Sequence, residues 1–249
     1  YRRSEETISS YRTEVRQFLD FLADRGLTSP AELRKQDVEA YQLSLEHKLS
    51  FKGTPLTLSS KNSKVSTVRS FIKFLRQADV LMTDPARDIV CPRPPKKLLP
   101  ELPTEQQVVM LLESPDVTTA VGLRDRALLE LFYSSALRNS ELRLLKVGDV
   151  DFGRLQVRVY RGKGGHGRVV PMGEAAAVWM ERYLTESRPQ LLRNKEHGFF
   201  FVSYRGAALA GNRMGEIVAR NAERAGLPMR VTPHVLRHCC ATHMLANDH

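Results

Sequence analysis

The sequence of 249 residues is 42% hydrophobic, and 38 Lys and Arg against 28 Asp and Glu give a formal net charge of +10. This length and apolar fraction predict two domains, and the charge favours a polyanionic partner, nucleic acid before a membrane. The three cysteines do not make a disulfide framework and fit a reducing cytoplasm, and no apolar run is long enough to span a bilayer.

The first ninety residues contain apolar residues at three- and four-residue spacing, which is typical of amphipathic helices. The predicted helices are Thr7–Ala23, a short one from Ser29, one capped by Asp37 through about His47, and one capped by Ser59 or Ser60 through about Gln77. We therefore expect residues 1–90 to form a small helical domain.

The fourth predicted helix has an apolar stripe, made of Val65, Val68, Ile72 and Leu75, and a polar face opposite it. No Asp or Glu lies between His47 and Ala78, and a second acid-free run covers Gly153–Gly173. Such a run is usually only a solvated face, but two of them favour a surface that faces phosphates. The candidate DNA contacts on this helix are Lys61, Asn62, Lys64, Arg69 and Lys73.

Five of the 13 prolines lie between Cys91 and Pro103. Proline removes a backbone donor and fixes φ, so we predict an extended linker at residues 91–103. The second domain then covers residues 104–249 and begins with a capping box formed by Thr104 and Gln107.

The second domain is predicted to be mainly helical with a small antiparallel hairpin. Leu155–Tyr160 alternates apolar and polar residues, and a glycine-rich basic turn with Lys163 joins it to the returning strand Arg168–Met172. The other predicted elements are helices through Glu113, over Leu123–Leu137, around Glu141–Leu145, over Glu174–Ser187 and over Met214–Ala225, and a short strand Phe199–Val202.

The stretch from Thr232 to His243 predicts a helix that Thr232 caps, with Pro233 at its first position. His234 and Arg237 share a face near its positive end, where guanidinium, imidazole and free N–H groups suit a phosphate. An ordinary surface helix also fits these residues. A metal site made of His238, Cys239, Cys240 and His243 is disfavoured, because adjacent cysteines cannot both face one metal from a helix.

Four basic residues from three separate elements are candidates to surround one phosphate: Arg138, Lys163, His234 and Arg237. The segments that contain them, Ser135–Leu142, Gly162–Pro171 and Thr232–His243, resemble the tyrosine site-specific recombinases of the phage integrase family, including the Xer type. The helical domain and proline linker extend the resemblance over nearly the whole chain. It implies a four-helix, SAM-like core-binding domain followed by an α+β catalytic domain.

The resemblance also implies a role for each matching residue. Arg138 and Arg237 would hold the non-bridging oxygens of the scissile phosphate, Lys163 would be the general acid for the leaving 5′-oxygen, and His234 a donor or proton relay. Glu141 would be a structural acid beside Arg138, and a tyrosine would form a 3′-phosphotyrosyl link. No metal or other cofactor is expected, because the arginines supply the positive charge. The DNA contacts expected near the hairpin tip are those of His166 and Arg168.

In this family the nucleophilic tyrosine lies well beyond the segment that ends at His243, and only six residues follow it here. None of the seven tyrosines is downstream, and Ala136 replaces the glycine common in the family. We expect the catalytic domain to lack its C-terminal nucleophile segment. The chain would then bind DNA without forming a covalent adduct alone, and assembly into a dimer or tetramer on DNA through that segment would weaken.

The function that the resemblance implies is a cytoplasmic, nucleoid-associated bacterial or archaeal recombinase. It would cleave and rejoin double-stranded DNA at a recombination site through a Holliday junction. One alternative is a catalytically inactive DNA-binding accessory protein of the same fold, which a downstream tyrosine would rule out. Another is a type IB topoisomerase, which predicts supercoil relaxation without sequence preference; the four-helix domain favours the recombinase.

Overall fold

The computed structural model describes residues 5–92, 102–160, 167–195 and 197–247. These residues form two compact units, one up to residue 92 and one from residue 102. Most of the predicted linker lies outside the described residues, as do Lys163 and His166, so those predictions stay predictions. None of the described helices is both long and apolar enough to cross a bilayer.

The first unit is helical, as predicted, although two helix starts differ from the prediction. It contains α1 (Glu5–Asp24), a 3₁₀ turn (Pro30–Glu32), α2 (Lys35–Ser44) and α3 (Leu58–Gln77). Asp37 lies inside α2, where its carboxylate accepts the Arg34 N–H at 2.9 Å, rather than preceding the helix. The cap of α3 is Thr57, whose hydroxyl accepts the Ser60 N–H at 3.2 Å, so the prediction of Ser59 or Ser60 was wrong.

The core of the first unit confirms the predicted apolar stripe of α3. Its four stripe residues are buried, together with Phe18 of α1 and Tyr41 of α2, whose rings meet edge to face with centroids 4.9 Å apart. Burial of each large side chain contributes about 1.5–3 kcal/mol, so these contacts fix how α3 is rotated. Arg69 and Lys73 are consequently exposed on the opposite face.

The second unit combines helices with a small antiparallel sheet, which confirms the predicted fold class. Its elements are α4 (Glu105–Glu113), α5 (Ala120–Ser135), α6 (Asn139–Arg143), β1 (Val150–Asp151), β2 (Gln156–Val159), β3 (Arg168–Pro171), α7 (Glu174–Arg182), α8 (Arg188–Leu192), α9 (Arg213–Arg224) and α10 (Pro233–Asn247). The predicted capping box of α4 is present, since the Gln107 N–H donates to Thr104 Oγ1 at 3.3 Å and the Thr104 N–H to Gln107 Oε1 at 2.9 Å. Helix α5 lies at the centre of the unit with its apolar side chains buried.

The sheet is antiparallel in the order β1-β2-β3. The predicted pairing of the two hairpin strands is confirmed: Val157 pairs with Val170, and Val159 with Arg168, so Arg168 lies in the strand pair next to residues 161–166 in the sequence. Strand β1 was missed, because two residues are too short for an alternating pattern to show.

The predicted strand Phe199–Val202 is wrong. These residues make only isolated bridges, Lys146 to Phe199 and Val202 to Ala208, and take no place in the sheet. They are apolar because Phe200, Phe201 and Val202 are buried in the core. The hydroxyl of Tyr183 donates to the Phe200 carbonyl and accepts the Val202 N–H, which satisfies backbone groups that a strand partner would otherwise bind.

Candidate active site

The turn between α5 and α6 sets the position of Arg138. Helix α5 ends at Ser135, and Ala136 adopts a left-handed conformation with φ of 46° that reverses the chain. Leu137 is then buried in the core, which anchors the turn. Arg138 follows as the N-cap of α6, and its side chain keeps 41% of its surface exposed.

The carboxylate of Glu141 joins two arginines. It accepts the Arg138 N–H and Arg138 Nη1, both at 2.8 Å, and Nη1 and Nη2 of Arg168 at 2.7 Å each. The Glu141 side chain is 4% exposed. Burial raises the pKa of Glu141, but the bonds from Arg168 and Arg138 outweigh burial and lower the pKa to about 2.

Glu141 therefore stays charged at any pH at which DNA and protein are stable together. One negative charge between two guanidinium groups leaves a net charge of +1 at this position. Because Nη1 is the one guanidinium nitrogen of Arg138 that bonds to the carboxylate, the other guanidinium N–H groups, which have no hydrogen-bond partner among the described residues, can bind an anion.

Helix α10 begins as the sequence predicts. Thr232 Oγ1 accepts the Val235 N–H at 3.3 Å, and the helix runs from Pro233. His234 is exposed in the first turn, while Leu236, Cys239 and Cys240 are buried, as expected.

Arg237 is half-buried, and one of its nitrogens, Nη1, is fully buried with no hydrogen-bond partner among the described residues. An unsatisfied buried donor on a charged group costs more than about 1–3 kcal/mol. A guanidinium group in this state is prepared to bind an anion that supplies the missing acceptor.

Helix α10 packs against the end of α5 and so brings the two arginines to the same region. The Tyr133 hydroxyl of α5 lies 3.0 Å from Nδ1 of His243 on α10, and the backbone of Ala136 lies beside Cys240. Arg237 lies three residues before Cys240 on the same helix, and Arg138 lies two residues after Ala136. Both arginines therefore stand at the C-terminal end of α5.

The two cysteines of α10 do not act as a ligand pair. Cys239 Sγ faces the Pro103 carbonyl at 3.9 Å, whereas Cys240 Sγ lies 3.7 Å from Met244 Sδ. Burial raises the pKa of both thiols, so they are neutral. No three His, Cys, Asp or Glu side chains converge within the part of the chain that the structure describes.

Two family models together match most of the chain. A model described as the phage integrase N-terminal SAM-like domain matches residues 1–79. A second, described as the phage integrase family, matches residues 102–249, which is more than half of the chain. The chain belongs to the phage integrase family. The predicted resemblance is thereby confirmed.

This phage integrase is similar to named tyrosine recombinases. It is 36% identical over 242 residues to "Tyrosine recombinase XerC 2" of Ralstonia nicotianae, with 97% of this chain and 70% of the relative aligned. It is also 36% identical to "Tyrosine recombinase XerC" of Oceanobacillus iheyensis, with 96% and 76% aligned. The crystal structure of XerA recombinase matches at 27% identity and a TM-score of 0.54, covering 99% of this chain and 80% of that one.

Several groups that the sequence assigns to DNA binding have partners within the phage integrase chain itself. Lys61 Nζ lies 2.5 Å from Glu46 Oε2, and Lys64 Nζ donates to Gln17 Oε1 at 2.7 Å. Burial lowers the pKa of Lys64. Asn62 also has an internal partner, since it donates to the Pro92 carbonyl at 2.6 Å. Arg69 and Lys73, the other two assigned residues on α3, are exposed.

Two contacts of the site were missed from the sequence. The Arg168–Glu141 pair joins residues 27 positions apart, and the only signal was a basic residue at the base of a hairpin. The Tyr133 hydroxyl lies 3.0 Å from Nδ1 of His243 and ties α5 to α10 a second time. The sequence holds no signal for this pair beyond two polar residues on helices.

Replacing Ala136 with glycine is expected to raise the free energy of unfolding by about 1 kcal/mol. The left-handed backbone at Ala136 strains a residue with a Cβ atom, and glycine removes that strain. Denaturant unfolding of the whole chain measures the change. The matched control is Ala219→Gly on the exposed face of α9, which should lower stability by about 1 kcal/mol. Equal destabilisation by both changes would contradict the assigned strain.

Proposed function

We propose that this phage integrase is a site-specific recombinase that cleaves and rejoins double-stranded DNA through a 3′-phosphotyrosyl intermediate. The observation that carries this proposal is the buried, unpartnered Nη1 of Arg237 at the end of α5 where Arg138 also stands. Two guanidinium groups that hold one phosphate diester would stabilise the charge that grows on it during attack. The family membership and the names of the relatives support the same reaction.

In the proposed reaction, a tyrosine loses its phenolic proton to solvent as its oxygen attacks the scissile phosphorus, and the bond to the bridging 5′-oxygen breaks. Arg138 and Arg237 stabilise the additional negative charge on the non-bridging oxygens of the pentacoordinate transition state. Lys163 gives its proton to the leaving 5′-oxygen. In the reverse attack, the 5′-hydroxyl of a second strand gives its proton to Lys163 and displaces the tyrosine from phosphorus, and the released tyrosine oxygen takes up a proton from solvent.

His234 is proposed as an additional hydrogen-bond donor to the phosphate. Its ring is exposed in the first turn of α10, three residues before Arg237. There it adds a donor for the phosphate at the positive end of the α10 dipole. The proposed reaction requires no metal or other cofactor.

We propose double-stranded DNA and further copies of the same chain as partners, in the cytoplasm. The Tn1549 transposon integrase, at 20% identity and a TM-score of 0.66, is described in complex with circular intermediate DNA. Lambda integrase, at 15% identity and a TM-score of 0.67, is described as a tetramer bound to a Holliday junction. Both share the fold, and we propose a similar assembly here, through a C-terminal segment beyond residue 249.

We also propose that none of the tyrosines of this sequence is the nucleophile. Tyr41 and Tyr183 are buried, and burial raises the pKa of each to about 12, which disfavours the phenolate. Tyr133 is paired with His243. The nucleophile would then come from a tyrosine outside these 249 residues.

A nicked suicide duplex, which traps the phosphotyrosyl intermediate, tests the proposal on a denaturing gel. The product of the complete open reading frame should form an adduct with DNA, and the 249-residue chain should form none. If the complete product binds the site but forms no adduct, the protein is the DNA-binding accessory protein of the alternative. An adduct from the 249-residue chain would place the nucleophile among its own tyrosines, and peptide mapping would identify it.

The exposed cations of α3 are expected to contact phosphates. Replacing both Arg69 and Lys73 by alanine should reduce the steepness of a plot of log affinity against log salt concentration. The slope should become less negative by about 1.8, because each phosphate contact contributes about 0.9. Fluorescence anisotropy at several salt concentrations measures the slope. The control replaces Arg12 and Arg16, two exposed arginines of α1, for the same loss of charge. Identical slopes for the two double variants would contradict the assignment.

Lys61, Asn62 and Lys64 of α3 remain proposed DNA contacts, but in the structure each of these side chains is hydrogen-bonded to another residue of the chain. Lys61 must leave Glu46, Asn62 must leave the Pro92 carbonyl, and Lys64 must leave Gln17 before it reaches DNA. Their net contributions are therefore expected to be smaller than those of Arg69 and Lys73.

A further inference from the structure

We infer that Arg168 is a positioning residue for Arg138 and acts through Glu141; the inference rests on the proposed function. Arg168 places both arms of its guanidinium group on the Glu141 carboxylate, at 2.7 Å each. The same carboxylate holds the backbone N–H and Nη1 of Arg138. The sequence assigned Arg168 to DNA contact, and the structure shows that both arms of its guanidinium group are bonded to Glu141.

The division of donors on Glu141 explains why a second arginine is needed. Each carboxylate oxygen accepts one bond from Arg138 and one from Arg168. With the buried charge shared in this way, Arg138 is oriented by a single side-chain nitrogen and keeps its other donors for the phosphate. Arg138 is thus fixed in place without being neutralised.

Loss of Arg168 would leave the nearly buried carboxylate with Arg138 as its only cation among the described partners. A buried charge with too few donors is costly, so the Arg138 guanidinium would turn toward Glu141 and form the two-armed contact itself. The donors needed by the phosphate would then be occupied. The same change would release the end of the β2–β3 pair, where Arg168 pairs with Val159, and Lys163 lies between these two residues in the sequence.

The first measurement is single-turnover cleavage of the suicide duplex by the complete gene product at saturating protein. Arg168→Gln is expected to slow cleavage about 100-fold, the scale of a misplaced catalytic group, with DNA affinity unchanged. Adding Glu141→Gln to this variant removes the unpaired charge and should recover part of the rate. Arg168→Lys, which keeps the charge but not the two-armed contact, is expected to lie between wild type and Arg168→Gln.

The second measurement does not depend on cleavage. Phenylglyoxal modifies accessible guanidinium groups, and peptide mass spectrometry reports the rate at Arg138. Arg168→Gln should slow modification of Arg138 several-fold, and the double variant should restore it. A purely structural role would loosen the site and speed modification, which is the opposite sign. If even wild type does not cleave DNA, the proposed function fails, while the modification rates still decide the role of Arg168.

The matched control is Arg158→Gln, which removes the same charge from the neighbouring strand, where Arg158 pairs with Val169 and lies 3.6 Å from Asp151. It should leave both rates unchanged. A weaker DNA affinity with a less steep salt dependence for Arg168→Gln, and normal cleavage at saturation, would assign Arg168 to phosphate contact and overturn the inference. Unchanged or faster modification of Arg138 would overturn it as well.

Discussion

Replacing Arg237 with alanine is expected to slow DNA cleavage by the complete gene product by about 1,000-fold or more. Arginines that stabilise phosphoryl transfer contribute about 10³–10⁵ in rate, because their charge and fork geometry match the transition state. Arg237 is already half-buried, and one of its buried donors has no partner among the described residues, so the loss removes a preorganised group. Single-turnover cleavage of the suicide duplex at saturating protein measures the effect.

Two control variants distinguish this role from a general loss of charge. Arg237→Lys keeps the charge but cannot bind two oxygens at once, and it should remain strongly impaired. Arg230→Ala removes an exposed arginine of the same unit and should cleave at the wild-type rate. A rate within about tenfold of wild type for Arg237→Ala would remove Arg237 from the proposed transition-state contacts.

Replacing Lys163 with alanine is expected to slow cleavage by about 10²–10⁴-fold, the usual scale for loss of a general acid. DNA affinity should change little. A substrate with sulfur in place of the bridging 5′-oxygen has a leaving group that needs no proton, so it should restore cleavage by the variant.

The control for Lys163 is Arg161→Ala, which removes a charge from the same glycine-rich stretch. It should cleave the ordinary substrate at the wild-type rate. If the sulfur-containing substrate fails to restore cleavage by Lys163→Ala, the lysine has a role other than proton donation.

Much of the fold followed from local patterns. The stripe of α3, the capping box of α4, the hairpin and the start of α10 depend on residues within a few positions of one another, so the sequence shows them directly. For the apolar run Phe199–Val202, no local pattern shows whether it forms a strand. A short buried run has the same composition whether it pairs in a sheet or packs as an irregular segment, and here Tyr183 decides the outcome.

The candidate site was predictable in its components but not in its internal contacts. The spacing of His234 and Arg237 indicated a shared helix face, and the motif around Arg138 carried the family resemblance. The pairing of Glu141 with Arg168 depends on where β3 lies against α6, which no local pattern contains. For the same reason, Lys61 and Lys64 looked like free cations, because their partners are 15 and 47 residues away.

For protein engineering, positions 138, 141 and 168 are coupled, so the effect of a substitution at one of them depends on the residues at the other two. Since one carboxylate serves both arginines, a library that randomises position 168 alone should return mostly inactive clones, and so should one that randomises position 141 alone. Active replacements should appear when positions 141 and 168 are randomised together. The positive charge lost at position 168 is then balanced by the negative charge lost at position 141. Attempts to retune this recombination chemistry by directed evolution will therefore advance through paired substitutions rather than single steps.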